Sequence, residues 1–178
     1  ARDEYRKLAR LIRKGLKNDI LILSGGVSMG DFDLVPTALK GCGVKKVFHK
    51  IKMKPGKPVF FGAKGNTLVF GVPGNPVSVY LVFQALIKPA IYRMAGRGSG
   101  SDFTKGVLKR EFRQRPSDRK HFVPVKVSKK DGVFCVFSVR GYHGSADIAS
   151  LSGAGAFMAV KAGAGVLKKN SRVEFMLW

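Results

Sequence analysis

The hydrophobic period changes once along this chain, at Arg97-Gly98-Ser99-Gly100-Ser101. Ahead of that stretch, short apolar runs alternate with segments of helical period; behind it, apolar residues recur at every second position. A helical pattern does not settle as a strand, nor the reverse. The chain is therefore expected to hold an α/β part over residues 1–97 and a small, mostly antiparallel β domain over 98–178. With 178 residues, 45% of them hydrophobic, there is enough apolar surface for both.

In the first part, Tyr5, Leu8, Ile12 and Leu16 make one apolar stripe and predict an amphipathic helix over 3–17. Asp3 and Glu4 come early in it and Lys14 and Lys17 late, as the helix dipole favours. Ile20-Leu21-Ile22-Leu23 is wholly apolar, the pattern of a strand buried on both faces of a parallel sheet. A helix capped by Asp33 should follow, with Pro36 in its first turn and Gly41 past its end. Residues 44–48 read as a strand open to continuation through Ile51 and Met53, and Lys54-Pro55-Gly56-Lys57-Pro58 as a loop, since two prolines exclude regular structure. Strands are expected over 59–61 and 67–70 around a Lys64-Gly65-Asn66 turn. The stretch 76–95 is apolar nearly all round, which predicts a buried helix bent by Pro89 and closed by Gly96.

In the second part, Val123, Val125 and Val127 alternate with polar residues or proline, and Asp131-Gly132 is a hairpin signal. Val133, Cys135, Phe137 and Val139 are expected to return on one face. A short helix should start with Ser145 as its cap, and 157–160 and 173–177 read as strands.

Two glycine-rich breaks carry the chemistry. Ser24-Gly25-Gly26-Val27-Ser28-Met29-Gly30-Asp31-Phe32-Asp33 and Gly71-Val72-Pro73-Gly74-Asn75-Pro76 each follow a short apolar strand and precede a helix. In an open α/β sheet both emerge at the carboxyl edge, where such sheets bind ligands. The first loop offers Ser24, Ser28 and the amides around Gly25 and Gly26; the second offers the Gly74 and Asn75 amides and Ser78 at a helix start. Backbone N–H groups and helix N-termini suit phosphate-like anions. Lys52, Lys54 and Lys57, in a segment stiffened by Pro55 and Pro58, add positive charge. Asp31 and Asp33 would repel such an anion unless a cation lay between them, and magnesium is commonly held by one or two carboxylates plus substrate phosphates. The residues thus point to a magnesium-assisted site for a phosphate-bearing ligand. Asp33 also reads as a helix cap, and any one lysine also reads as a solvated surface group. His49, His121 and His143 show no metal-ligand spacing and are expected to be structural. The loops match neither a P-loop nor GxGxxG.

Lys and Arg number 33 against 11 Asp and Glu, a net charge of +22 that favours anionic partners. The excess is even: 16 basic and 5 acidic residues over 1–89, 17 and 6 over 90–178. That spread argues against a dedicated nucleic-acid stripe, and no zinc finger or aromatic-and-basic RNA motif is present, so nucleic acid is not an expected partner. Cys42 and Cys135 form no CxxC pair, which fits a reducing compartment. The longest apolar run, 77–83, is far short of a membrane span, and a soluble cytoplasmic protein is expected. The chain opens within a helix-like segment without an initiator Met, so it is expected to be part of a longer protein.

Three motifs in order resemble the molybdopterin molybdenumtransferase family, that of bacterial MoeA and the gephyrin E domain: the 24–33 loop, Met53-Lys54-Pro55-Gly56-Lys57-Pro58, and Val72-Pro73-Gly74-Asn75-Pro76-Val77-Ser78. Arg110-Glu111-Phe112 and Gly144-Ser145-Ala146-Asp147 through Ser152 look like that family's C-terminal domain. The resemblance implies the second part of a MogA-like α/β domain followed by a small β domain. It implies adenylated molybdopterin and molybdate as ligands, cleavage of the adenylate with a divalent cation assisting, insertion of molybdenum into the dithiolene, and a homodimer in the full-length form. It places Asp31 and Asp33 near the pterin phosphate and metal, and Lys54, Lys57 and Ser78 in anion-binding motifs. Gly155 and Lys161 depart from the family pattern, where Asn and Pro are usual. A non-catalytic, gephyrin-like scaffold is the alternative; it calls for an apolar groove near the C-terminal domain.

Overall fold

The computed structural model describes residues 2–27, 34–98, 103–139 and 141–178. In chain order the elements are α1 (Arg2–Gly15), β1 (Ile20–Ser24), α2 (Leu34–Gly41), β2 (Lys45–His49), β3 (Met53–Lys54), β4 (Phe60–Lys64), β5 (Thr67–Val72), α3 (Pro76–Val82), a π-turn (Phe83–Ile87), α4 (Lys88–Met94), β6 (Thr104–Leu108), β7 (Phe112–Arg113), β8 (Lys120–Lys130), β9 (Val133–Ser138), α5 (Ala149–Ser152), β10 (Ala156–Val160), β11 (Val166–Leu167) and β12 (Arg172–Leu177). Packing divides them into two units. One comprises 1–51 with 56–75, the other 52–55 with 76–178. Among the described residues no helix is long and apolar enough to cross a membrane.

The first unit is a four-stranded mixed sheet in the order β1-β5-β4-β2, with β1 parallel to β5 and the other pairings antiparallel. Ala9 and Ile12 of α1, Val35, Ala38 and Leu39 of α2, and Phe60 and Val69 of the sheet form one core. Tyr5, Leu8 and Leu16 pack against it, as the stripe predicts. β1 is not buried on both faces: it is the edge strand of this sheet, and Ile22 is 46% exposed. α2 runs through Gly41 itself, and the chain reverses at Gly43, where φ is 82°. β2 does not continue to Met53. Lys50, at φ 75°, ends it, and Met53–Lys54 pairs instead with β8 of the second unit.

In the second unit, β10, β12, β6, β9 and β8 pair successively, and β8 pairs back to β10. The five strands therefore close into a small barrel, antiparallel except between β6 and β9. Closure removes the sheet edges that would otherwise invite mispairing. β8 spans eleven residues and serves three neighbours, β3 through 120–121, β10 through 121–125 and β9 through 125–130. Its interior holds Leu108, Val123, Val125, Val136, Met158 and Phe175.

On β9, Val136 is in the barrel core with Phe134 packed against it, while on the other face Cys135 is also buried and Val133 is exposed. The cause is the turn: Asp131 and Gly132 both take positive φ, 50° and 80°, and make a two-residue connection with Lys130 opposite Val133. That register sets Val127 opposite Val136, so odd positions on β8 share a face with even ones on β9.

The long helix is interrupted. The Lys88 N–H bonds the Phe83 carbonyl, five residues back, and this widened turn stands just ahead of Pro89, whose ring would clash in a regular α-turn. Burial covers α3 and the π-turn but not α4, where Ile91 and Met94 are 38% and 45% exposed. Tyr80 of α3 joins the barrel through Phe157 and Trp178; its ring centroid lies 5.1 Å from that of Trp178, edge to face. α5 starts later than expected, at Ala149, and its first turn is held by Asp147 rather than Ser145. The Asp147 carboxylate accepts the Ser150 N–H at 3.2 Å and the His143 N–H at 3.1 Å. Asp147→Ala is expected to cost about 1 kcal/mol in urea unfolding, and Asp147→Asn much less.

Candidate functional site

The parallel pairing of β1 with β5 places Ser24 opposite Val72, so both glycine-rich loops leave the sheet at the same edge. They touch there. The Gly25 N–H donates to the Val72 carbonyl at 2.9 Å, and the Ser24 hydroxyl to the Pro73 carbonyl at 3.4 Å. A Cβ built on Gly74 would lie 4.0 Å from the Gly25 Cα, which shows how closely the two backbones approach. Gly25 and Gly26 take φ of 84° and 64°, a conformation that side chains other than glycine adopt at a cost.

Val27 anchors the first loop. It is 1% exposed and lies over Gly71, where an added Cβ would come within 2.7 Å of its Cγ1. His49 fixes the loop from the other side: its Nε2–H donates to the Val27 carbonyl at 2.9 Å, while its ring meets Phe60 edge-on at 6.0 Å. The register explains the meeting, because His49, Phe60, Gly71 and Leu23 form one rung across all four strands.

Gly25, Gly26, Val27, Pro58, Pro73, Gly74 and Asn75 line a pocket of about 190 Å³. A whole drug-sized ligand needs about 300–1,000 Å³, so this pocket has room for a phosphate-sized group rather than a complete cofactor. Among the described residues its lining contains no carboxylate and no lysine. His49 also lines a second cleft of about 640 Å³ together with Thr37, Lys40, Lys46 and Phe60.

The other expected site residues are distributed as follows. Ser28, Asp31 and Asp33 lie outside the described residues. Gly56 and Lys57 belong to the first unit. Lys57 is exposed, and its carbonyl accepts the N–H groups of Ile51 and Val59 at 3.0 and 2.9 Å. It is the neighbouring Pro58 that reaches the pocket wall. Lys54 and Pro55 belong to the second unit, where Lys54 stands opposite His121 in the β3–β8 ladder. Pro76 and Ser78 also belong there, with Ser78 buried at 3% exposure in α3. Among the described residues no group of three or more His, Cys, Asp and Glu is placed to hold a metal. Val27, His49 and Gly71 shape the pocket together with Pro58, and the sequence alone does not mark these three for it. No motif spacing marks them, although Gly71 and Val27 fall within or beside the two glycine-rich breaks.

The second unit carries the groove that a scaffold would need. It is open, about 520 Å³, and lined by Pro76, Val79, Tyr80, Phe83, Ile148 and Leu151. Nothing in the structure shows what covers it.

A small glycine- and proline-lined pocket at the carboxyl end of β1 and β5 marks the ligand-binding edge expected of an α/β sheet. The comparisons then give the family. Residues 1–93 match the model described as "Probable molybdopterin binding domain", and the chain belongs to that family. Residues 105–178 match the MoeA C-terminal region, domain IV. The molybdopterin molybdenumtransferase of Bacillus subtilis is 30% identical over 177 residues, covering 98% of this chain and 41% of its own length. That of a Nostoc species is 30% identical over 157 residues, covering 85% and 36%. A molybdopterin biosynthesis MoeA protein from Pyrococcus horikosii superposes with a TM-score of 0.75 at 27% identity, covering 96% of this chain and 40% of that one. The chain thus spans less than half the length of these relatives.

Proposed function

We propose that this chain serves molybdenum cofactor biosynthesis in the cytoplasm as the portion of a molybdopterin molybdenumtransferase that binds adenylated molybdopterin. The enzyme inserts molybdenum from molybdate into the dithiolene and releases the adenylate. The observation that carries this reading is the joining of the two glycine-rich loops around a phosphate-sized pocket at the β1–β5 edge. Amides directed at an oxyanion stabilise it without reorganisation, which suits both a ligand phosphate and molybdate. Cleavage of an adenylate calls for charge neutralisation more than for a protein nucleophile.

In this reading Asp31 and Asp33 hold a magnesium ion, which would neutralise phosphate charge when bound. The described lining supplies no carboxylate of its own, so metal ligation falls to these two residues. Lys54, Lys57 and Ser78 are assigned to anion binding, and the active form is a homodimer.

Calorimetry on the full-length protein tests this. Adenylated molybdopterin should bind, and more tightly with magnesium present. Asp31→Ala should remove the magnesium dependence and slow adenylate cleavage by about 100-fold or more. Absence of binding, or cleavage unchanged in Asp31→Ala, contradicts the proposal.

A further inference from the structure

The barrel carries a row of like charges that its own packing does not explain. In the ladders of β10, Val160 stands opposite His121 of β8, and Ala159 opposite Glu174 of β12. Lys161 directly follows the last residue of β10, while Lys120 and Arg172 open β8 and β12, the two strands antiparallel to it. Neighbouring strands lie about 4.8 Å apart, so these three cations gather at one end of the three strands. Like charges directly opposite each other destabilise a sheet, and a chain of net charge +22 adds to the repulsion.

All three side chains line one cleft of about 500 Å³, within the range of small-molecule pockets. Lys105 and Glu174 also line it, but they face each other in the β6–β12 register, so their charges offset. Among the described residues none of Lys120, Lys161 and Arg172 makes an ion pair within 4.0 Å. The remaining lining is mostly aliphatic, including Ala159, Ala164 and Leu167.

The cleft is built rather than incidental. The Lys120 ammonium is held 4.6 Å from the Phe103 ring and 5.6 Å from that of Phe122. The wall bearing Ala164 and Leu167 is clamped to the segment around β7. Gln114 bonds the Gly165 carbonyl through its N–H at 2.8 Å and the Ala164 carbonyl through Nε2 at 3.0 Å, and Leu167 pairs with Phe112. A clamped wall loses little entropy when a ligand enters.

We infer that this cleft binds a small amphipathic oxyanion, a phosphate monoester or carboxylate headgroup on a short aliphatic body. The headgroup lies across Lys120, Lys161 and Arg172, and the body rests on Ala159, Ala164 and Leu167. The site is separate from the loop pocket and does not depend on the function proposed above.

NMR titration of the whole chain tests it, with butyl phosphate, hexanoate, inorganic phosphate and butanol as probes. The signals to read are those of Ala159, Ala164 and Leu167; shifts at Gly25 and Gly74 report the loop pocket separately. Butyl phosphate or hexanoate should saturate the cleft signals below about 10 mM, the tighter of the two identifying the headgroup. Butyl phosphate should bind at least about fivefold tighter than inorganic phosphate, since methylenes are buried. The exposed pair Lys161→Gln with Arg172→Gln should weaken binding at least about tenfold. Lys161→Gln alone should raise the thermal midpoint of the free protein at low salt. The inference is overturned if neither anion gives saturable shifts, if butanol moves the same signals equally, or if the double variant binds unchanged.

Discussion

Gly71→Val is expected to lower stability by about 1–3 kcal/mol and to remove ligand binding at the loop pocket with it. Even a single carbon at this position would lie 2.7 Å from Val27 Cγ1 and 3.1 Å from Phe60 Cβ. Phe60 is a core residue paired with Gly71 in the sheet and cannot withdraw. The strain therefore falls on Val27, whose carbonyl is tied to His49. Moving Val27 breaks that bond and drags Gly25 and Gly26, its immediate neighbours, away from Gly74. A double-mutant cycle in urea isolates the contact. Val27→Ala and Gly71→Ala should each destabilise, and their combination should lose measurably less than the sum. Strict additivity would mean that Val27 does not transmit the strain to the loop.

The second large effect concerns acid stability. His121 is 8% exposed, and its pKa is lowered to about 4 by burial first and then by the positive charges of Lys54 and Arg119. The neutral ring hydrogen-bonds Gln114 through Nδ1, and the same Gln114 holds the wall of the barrel cleft. Below the ordinary histidine value of about 6.5 the unfolded chain takes up a proton that the folded chain refuses. Stability is therefore full above about pH 6.5 and declines as the pH falls toward 4, by about 3 kcal/mol at most. His121→Gln keeps a hydrogen-bond donor and cannot titrate. Urea unfolding from pH 7 to pH 4 should show this declining limb in the wild type and a flatter one in the variant. Parallel curves would show that His121 does not set the acid limb.

The convergence of the two glycine-rich loops was legible in the sequence. A short apolar strand before each break, with a helix after it, implies parallel neighbours whose carboxyl ends share an edge. What fastens the loops was not. His49 is a lone histidine at a strand end, and its contact with Val27 depends on a rung formed by four strands drawn from residues 20–72. Gly71 looks like the opening of a turn in the sequence, yet it is a strand residue kept bare for Val27. Which face of β9 meets the barrel core depends on the two-residue turn, which pairs odd positions of β8 with even positions of β9. The position of Lys54 was hidden for a similar reason. The run Lys54-Pro55-Gly56-Lys57-Pro58 looks like one loop, but Lys54, together with the preceding Met53, pairs with β8, and the rest divides between the two units. In the sequence Lys161 is only a departure from a family pattern, and its gathering with Lys120 and Arg172 around one cleft emerges from the pairing of β10 with β8 and β12.

The central claim is that the loops after β1 and β5 act as one receptor for the ligand's phosphate. It is tested most directly by following the Gly25, Gly26 and Gly74 amide signals while adenylated molybdopterin is added to isotope-labelled protein. The three amides should shift together along a single saturation curve, and the shifts should vanish in Gly71→Val. Shifts confined to one loop, or saturation at clearly different ligand concentrations for the two loops, would contradict it.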